Sequence, residues 1–270
     1  MSGLEVAWLG HATTDIRLGG GRFVTDPLLR DRVAHLRRHA GTSSLPDGPP
    51  VTAVLISHLH HDHLDLPSLR RLPPGTPLVV PRGAGRLVRS AAPGEVLEVS
   101  AGDDVTFGGV RITAVPADHQ SNRTLSRVTA DPLGFVLDGG GRTVYFPGDT
   151  DLHPVMKHLP SPDVALLPIW GWGPSIGPGH LDPARAVEAA EWLRARAVLP
   201  VHWGTLAPIH STALKDGAAS VVRRTRLARS QRAAPAWLAQ PGTRFDAAVR
   251  ERAPALDLRL VAPGPQMHGF

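Results

Sequence analysis

The sequence predicts an α/β sandwich, in which two β-sheets pack against each other and helices cover the outer faces. Short apolar segments rich in β-branched residues recur in both halves of the 270-residue chain, and an amphipathic helix beginning at Asp182 lies among them. No linker-like segment or short-period repeat divides the chain, whose length is within the range of one α/β domain. We therefore expect a single domain over residues 1–270.

Composition restricts both the class of protein and the class of site. Hydrophobic residues make up 42% of the chain and charged residues 20%, which is typical of a folded globular protein. There is no cysteine, so a metal site must use His, Asp and Glu side chains. Because the sequence shows neither a signal-peptide pattern nor an apolar run long enough to cross a bilayer, we expect a cytoplasmic protein without a transmembrane segment.

The net charge of +5 raises the question of a nucleic-acid partner. Nearly all basic residues are arginines, in a chain that is also rich in Ala, Gly and Pro. The densest basic stretch, from Arg223 to Arg232, is interpreted as the solvated face of a helix. The sequence therefore favours a small-molecule or lipid-like substrate over nucleic acid, and it does not define an oligomeric state.

The first half is predicted to begin as an antiparallel meander. Alternating apolar residues indicate three strands, and Gly19-Gly20-Gly21 forms the turn between the second and the third. After a polar, proline-bearing stretch from Pro27 to Pro50, a run rich in Val, Leu and Ile indicates a buried strand. Helices are expected near Leu66–Arg71 and Ala84–Ala91. The predicted strands are Glu5–Leu9, Thr13–Leu18, Arg22–Thr25, Val51–Ser57, Leu78–Val80 and Val96–Val99.

The second half contains further short strands and the longest predicted helix. Asp182 is a suitable N-cap and Pro183 suits the first helical position, so this helix is expected to run to about Arg194. The predicted strands are Val105–Phe107, Val110–Val115, Leu133–Leu137, Thr143–Phe146, Val164–Leu167 and Ala197–Val201.

The run His58-Leu59-His60-His61-Asp62-His63 directly follows a predicted buried strand. On an extended backbone His58 and His60 project to the same side, whereas Asp62 and His63 fall on the following turn and can address a second ion. A surface histidine tract is the alternative interpretation, but the ordered H-x-H-x-D-H spacing is typical of a metal site.

Two hydrolytic metal ions need more than four ligands and a group that bridges them. Three later predicted strands are each followed by a candidate, namely His119, Asp149 and His202. Each of these residues taken singly has an ordinary structural interpretation, as a turn residue or a hydrogen-bonded histidine. Because all three follow strands in order, together they predict the remainder of a metal site.

These motifs resemble those of the metallo-β-lactamase superfamily, and the likeness extends over nearly the whole chain. The resemblance implies a four-layer αββα sandwich with two mixed sheets flanked by helices. It also implies a ligand set, in which one ion is held by His58, His60 and His119, the other by Asp62, His63 and His202, and Asp149 bridges them.

Zinc is the expected cofactor, as two Zn²⁺ per chain, although Mn²⁺ or Fe²⁺ suits the same ligands. Two such ions lower the pKa of a shared water toward about 7, which provides a hydroxide nucleophile at neutral pH. We therefore expect a metal-dependent hydrolase that attacks with this hydroxide.

Further segments narrow the resemblance to the branch that contains N-acyl phosphatidylethanolamine phospholipase D and, more distantly, L-ascorbate-6-phosphate lactonase. These segments are Trp8-Leu9-Gly10-His11-Ala12-Thr13, Thr25-Asp26-Pro27, Gly179-His180-Leu181-Asp182-Pro183 and His202-Trp203-Gly204-Thr205.

The resemblance to this branch also implies roles for individual histidines. His180 is expected beside the metal pair, where it can donate to a phosphoryl oxygen or protonate a leaving alkoxide. Asp62 and His180 are therefore the expected catalytic residues, with a structural histidine near the helix cap as the alternative for His180. His11 is expected to brace the site without binding metal, and His61 to be exposed or to lie behind the ligands.

The preferred reaction is hydrolysis of a phosphodiester. The same ligands serve attack on a lactone or another carboxylic ester, so that alternative stays open, as do a nuclease and a non-catalytic metal-binding protein. The apolar loop from Trp170 to Pro174 either walls a pocket for an acyl chain or other apolar group, or simply packs. No membrane-inserting element is evident, which argues against a diacyl lipid substrate but leaves peripheral membrane contact open.

Overall fold

The computed structural model describes residues 3–123, 128–209 and 235–270. It confirms the predicted sandwich of two β-sheets. The basic stretch from Arg223 to Arg232 lies outside the described residues, so its interpretation as a solvated helix face stays a prediction.

The first sheet combines an antiparallel meander with parallel strands. The three predicted N-terminal strands pair antiparallel, and the strands that follow them run parallel to the third. In order across the sheet the strands are β17 (His268–Gly269), β1 (Glu5–Gly10), β2 (Thr13–Leu18), β3 (Gly21–Thr25), β6 (Ala53–Leu55), β7 (Leu78–Pro81) and β8 (Val96–Val99).

The second sheet repeats this arrangement, because an antiparallel meander is again followed by parallel strands. In order across the sheet the strands are β16 (Asp257–Leu258), β14 (Ala197–Val198), β13 (Val164–Ala165), β12 (Arg142–Phe146), β11 (Leu133–Gly139), β10 (Val110–Pro116) and β9 (Asp104–Phe107).

The main core lies between the two sheets. Trp8 and Phe23 from the first sheet belong to the same buried cluster as Phe135 and Phe146 from the second. Because successive side chains of a strand point to opposite faces, the neighbouring residue Tyr145 belongs instead to the cluster on the outer face of the second sheet.

Helices cover both outer faces and complete the four predicted layers. On the first sheet they are α1 (Leu66–Leu69) and α2 (Gly85–Val88), and on the second they are α3 (Pro183–Leu193) and α4 (Gln240–Arg252). The Asp182 side chain accepts a hydrogen bond from the Arg185 N–H at 2.9 Å, which confirms the predicted cap of α3. In the described part of the chain no helix is long and apolar enough to span a bilayer.

The polar stretch between Pro27 and Pro50 contains a hairpin that the sequence analysis did not predict. It consists of β4 (Arg32–Val33) and β5 (Leu36–Arg38), and β5 pairs with β15 (Leu206–Pro208) in a third, small sheet. The two residues at its tip, Ala34 and His35, lack the Gly or Asn that usually marks a short hairpin turn, so the sequence carries no turn signal here.

Other differences from the predicted elements concern short or atypical segments. The helix α4 begins Gln240-Pro241-Gly242, where Gly242 has low helical propensity, and packing of Phe245 and Val249 beneath the helix compensates. The predicted strand Val51–Ser57 is ladder-paired only over Ala53–Leu55, because the chain beyond it turns into the histidine loop. The helices predicted at Leu66–Arg71 and Ala84–Ala91 are shorter, as α1 and α2.

A buried ion pair links β2 to β3 and provides a test of the packing. Arg22 Nη2 donates to Asp15 Oδ2 at 2.8 Å, and the two side chains are 4% and 0% exposed. We expect Arg22→Ala to lower the free energy of unfolding by about 3–5 kcal/mol, because Asp15 is left as an uncompensated buried charge. Urea denaturation followed by circular dichroism measures this change.

The matched control is Arg111→Ala, which removes the exposed pair with Asp138. An exposed pair contributes less than about 1 kcal/mol. Equal, small losses in the two variants would contradict the stabilising role of the buried pair.

Candidate metal centre

The histidine motif occupies the tight loop that follows β6. His58 and His63 are fully buried, and Asp62 is nearly so. The backbone N–H groups of His63 and Leu64 both donate to the His60 carbonyl, at 3.1 and 2.8 Å. This turn brings the two ends of the motif together at one edge of the sandwich.

Three further side chains reach this edge from the second sheet, where the sequence predicts them. Asp149 approaches the histidine loop through Gly148, whose φ is +65° and where an added Cβ would lie 2.4 Å from Ser57 Cβ. Only glycine fits such a position. His202 also adopts a left-handed conformation, with φ of +62°, and its N–H donates to the His11 carbonyl at 2.9 Å.

Three imidazole rings converge on one point, and we call His58, His60 and His119 the three-histidine group. His60 Nδ1 lies 3.1 Å from His58 Nε2 and 3.1 Å from His119 Nε2. These nitrogen atoms have metal-ligand spacing. Burial lowers the pKa of all three rings, to about 4 for His60, so they are neutral at pH 7.

Hydrogen bonds behind these rings determine which nitrogen faces inward. His119 Nδ1 donates to the Gly179 carbonyl at 2.8 Å. Ser57 Oγ donates to Asp26 Oδ2 at 2.5 Å, and it therefore accepts from His58 Nδ1 at 3.0 Å. A neutral ring carries one proton, so His58 Nε2 and His119 Nε2 are both left as lone-pair donors.

A second set of potential ligand atoms lies close together. These atoms belong to His11, Asp62, His63 and His202, which we call the four-residue group. His63 Nε2 lies 3.1 Å from His202 Nε2 and 3.8 Å from Asp62 Oδ2. The rings are again held from behind, because His202 Nδ1 donates to the Trp170 carbonyl at 2.8 Å and His63 Nδ1 contacts Asp26 Oδ2 at 2.7 Å.

Asp149 lies between the two groups. Its Oδ2 is 3.2 Å from His63 Nε2 and 4.0 Å from His58 Nε2, while its Oδ1 is 3.2 Å from His202 Nε2. The side chain is buried, and among the described residues no donor satisfies Oδ1. A carboxylate oxygen without a donor in a buried site is costly unless a cation binds it.

The charges of the site also fit a bound cation. Burial raises the pKa of Asp149, but His202 and His63 overcome this effect and hold it well below its usual range. Burial lowers the pKa of His63, but Asp149 and Asp62 outweigh it and raise the pKa well above its usual value. A divalent cation would displace the proton from His63, and the resulting neutral imidazoles, ionised carboxylates and unpaired oxygen form a donor set that suits Zn²⁺ and similar ions.

Asp26 belongs to this site although the sequence analysis did not name it as a site residue. Besides His63 it binds Ser57, whose N–H donates to Asp26 Oδ1 at 2.7 Å. It therefore orients one histidine directly and His58 through the serine. Its signal in the sequence was the Thr25-Asp26-Pro27 segment at the end of a strand, which indicated the family branch but not this contact.

His11 contacts the site from the turn between β1 and β2. Its Nε2 donates to Asp62 Oδ2 at 2.9 Å, and its own carbonyl accepts from Trp8 Nε1 at 2.8 Å. The expected bracing role is compatible with these contacts. His11 nevertheless shares the four-residue group, so its geometry also suits a ligand.

His180 lies beside Asp149 on the more exposed side of the site. Its Nε2 is 3.5 Å from Asp149 Oδ2, and its side chain is 22% exposed. Burial lowers its pKa, but the hydrogen bond and charge of Asp149 produce a net increase. His61 belongs to neither group; it is half-buried and lines a cleft together with Arg123.

The seven residues named as ligands by the family resemblance therefore lie together at one edge of the sandwich. Their assignment to individual metal ions stays a prediction. The loop from Trp170 to Pro174 contacts the site directly, because the Trp170 carbonyl orients His202.

Comparisons with known proteins agree with this arrangement. A family model described as a β-lactamase superfamily domain matches residues 21–203. The chain is 33% identical over 233 residues to N-acyl-phosphatidylethanolamine-hydrolyzing phospholipase D 1 of Caenorhabditis elegans, across 76% of this chain and 65% of that protein. It is 32% identical over 213 residues to a metal-dependent hydrolase of Methanopyrus kandleri, across 76% of this chain and 86% of that protein.

The fold is also similar to solved structures. Igni18, a metallo hydrolase from Ignicoccus hospitalis, superposes with a TM-score of 0.69 at 21% identity and covers 99% of both chains. This chain matches just under two thirds of the length of the worm phospholipase. The family match and the sequence relatives show, in agreement with the shared fold, that this chain belongs to the metallo-β-lactamase superfamily of metal-dependent hydrolases.

Proposed function

We propose that this protein hydrolyses phosphodiesters by a phospholipase D-like reaction with two divalent metal ions, zinc being the most suitable. The observation that carries this proposal is the location of His180, which lies beside Asp149 at the exposed side of a centre whose His58, His63 and His202 are buried. A donor at that point can reach a substrate, whereas the buried histidines cannot. The similarity to a phospholipase D supports the same reaction class.

The ligand roles in this proposal follow the two groups. The three-histidine group would hold one ion and Asp62, His63 and His202 the other, with Asp149 as the ligand shared between them. Bound divalent ions supply Lewis acidity, which lowers the pKa of a coordinated water and neutralises charge on phosphoryl oxygens. His11 donates to Asp62 Oδ2 and thereby holds the orientation of this carboxylate.

His180 acts on the reacting phosphodiester. Its Nδ1 faces the Gly177 and Pro178 carbonyls, both at 3.2 Å, which leaves Nε2 directed toward the site. The raised pKa favours a proton on this ring, so Nε2 can donate to a phosphoryl oxygen or to the leaving alkoxide. Attack on a carboxylic ester forms a tetrahedral intermediate, which needs the same donor. A lactonase is therefore the alternative, and the substrate test below distinguishes it from a phosphodiesterase.

Metal content tests the ligand assignment. After zinc loading and dialysis we expect about two ions per chain by inductively coupled plasma mass spectrometry. Asp149→Ala and His60→Ala should each lose at least one ion, because each removes a ligand. The control is Asp118→Asn, an exposed carboxylate next to His119 that belongs to neither group. Fewer than about one ion in the unmodified protein would contradict the two-metal proposal.

A substrate panel tests the reaction class. In a panel of bis-p-nitrophenyl phosphate, acyl-phospholipids and lactones, assayed with Zn²⁺ and with Mn²⁺, we expect the protein to hydrolyse the phosphodiester bis-p-nitrophenyl phosphate faster than lactones. The reason is that two adjacent Lewis acids and a cationic donor match a dianionic phosphorane. Lactone turnover without phosphodiester turnover would establish the lactonase alternative, and cleavage of nucleic acid with steeply salt-dependent binding would establish the nuclease.

A variant of His180 tests its catalytic role. We expect His180→Gln to lower kcat by about 10²- to 10⁴-fold while metal content and thermal stability stay unchanged. If the ring protonates the leaving group, the loss is smaller for a p-nitrophenolate leaving group than for an alkoxide, which needs the proton more. His158→Gln, at an exposed histidine after a short 3₁₀ helix, is the control. A loss of activity that occurs only with unfolding would return His180 to a structural role.

A further inference from the structure

An apolar cleft opens directly onto the candidate metal ligands. Its volume is about 220 Å³, and His60 and Asp62 are among the residues that line it. The rest of the lining comes from the tip of the hairpin β4–β5, from Trp172, and from the polar side chains of His61, Asn122 and Arg123. The cleft therefore joins the metal centre to a hydrophobic surface that the proposed mechanism does not use.

The hairpin that forms one wall is held in a strained conformation. Val33 pairs with Leu36, so Ala34 and His35 form a two-residue turn at the tip, and Ala34 has a φ of +46°. Glycine normally supplies this conformation, and another residue adopts it at a cost that surrounding structure must offset. The turn is therefore a defined structural element of the cleft.

Packing and hydrogen bonds hold the hairpin in place. Val33 and Leu36 belong to a buried cluster with Leu28 and Leu206. The His35 carbonyl accepts from the Ile209 N–H at 2.9 Å. The segment that contains Leu206 and Ile209 follows His202 closely in the chain. The same stretch of backbone therefore positions a candidate ligand and supports the wall of the cleft.

Trp172 packs against the hairpin. Its ring meets the His35 ring edge-on, with centroids 4.8 Å apart, and it packs against the same apolar cluster. Trp172 is half-buried, which leaves part of the indole available to a ligand. Val33 and Leu36 are almost fully buried, so the exposed part of the indole is the apolar face that an uncharged group can contact.

We propose that this cleft binds an apolar substituent of the substrate, of about the size of one phenyl ring, attached to the phosphoryl group that is hydrolysed. The inference rests on the proposed function, because it takes the reacting group to lie at His60 and Asp62. The volume of about 220 Å³ gives room for a ring or a short chain.

Binding of two phosphonates to the zinc-loaded protein tests the cleft without depending on turnover. Phenylphosphonate and methylphosphonate share the metal-binding head group and differ in the apolar group. We expect isothermal titration calorimetry to give about 10- to 100-fold tighter binding of phenylphosphonate, as burial of an aromatic ring predicts. Equal affinities, or binding of neither probe, would overturn the proposal.

Variants locate this preference in the cleft. Trp172→Ala should reduce the ratio of the two affinities to within about threefold of unity, because it removes one wall. Trp192→Ala is the matched control, since this tryptophan lies in α3 against Lys157, away from the cleft. If Trp172→Ala fails to fold, His35→Ala, at the exposed tip, should reduce the ratio by weakening the support of Trp172. A full preference in a folded variant would exclude the cleft as its source.

Hydrolysis of phenyl and methyl p-nitrophenyl phosphate separates this inference from the proposed function. A preference for the phenyl ester that depends on Trp172 supports both. Turnover of the two diesters at equal kcat/KM overturns the cleft and leaves the reaction class intact. Tight, Trp172-dependent binding of phenylphosphonate without turnover of either diester supports the cleft and overturns phosphodiester hydrolysis.

Discussion

The site depends on hydrogen bonds made by the sides of the rings that face away from its centre. His58, His63, His119 and His202 each have Nδ1 against an oxygen atom, which belongs to a serine, an aspartate or a backbone carbonyl. With Nδ1 occupied, Nε2 points inward in every case. Without these contacts, buried imidazoles brought to within about 3 Å of one another would rotate apart or take up protons.

The two sheets supply these contacts because they carry the same arrangement. In each, an antiparallel meander is followed by parallel strands, and an aspartate lies just after the last strand of the meander, Asp26 in the first sheet and Asp149 in the second. Strand ends from both sheets meet at one edge of the sandwich. There the backbone adopts left-handed conformations at His11, Asp26 and His202, a concentration of strain typical of functional sites.

Different parts of the molecule support the metal ligands and surround the open side of the site. The ligand-bearing loops follow core strands whose large side chains are fully buried, so the metal-binding geometry is supported by the main core. The surroundings of the open side come from the hairpin β4–β5 and the loop from Trp170 to Pro174, which lie outside the two main sheets. Loops on a rigid scaffold are where substrate preference commonly differs between related enzymes.

The amino-acid sequence alone determined the sandwich and most strand positions, because hydrophobic periodicity is a local property. The seven candidate ligands were predicted from the H-x-H-x-D-H spacing, the strand-end placement and the family resemblance. The sequence did not reveal the hairpin with Ala34 at its tip or the start of α4, since both depend on packing that overrides weak local propensity. Nor did it reveal that Asp26 orients His63, or that Trp172 and the hairpin enclose a cleft. Those contacts join residues far apart in the chain, so only the tertiary structure decided them.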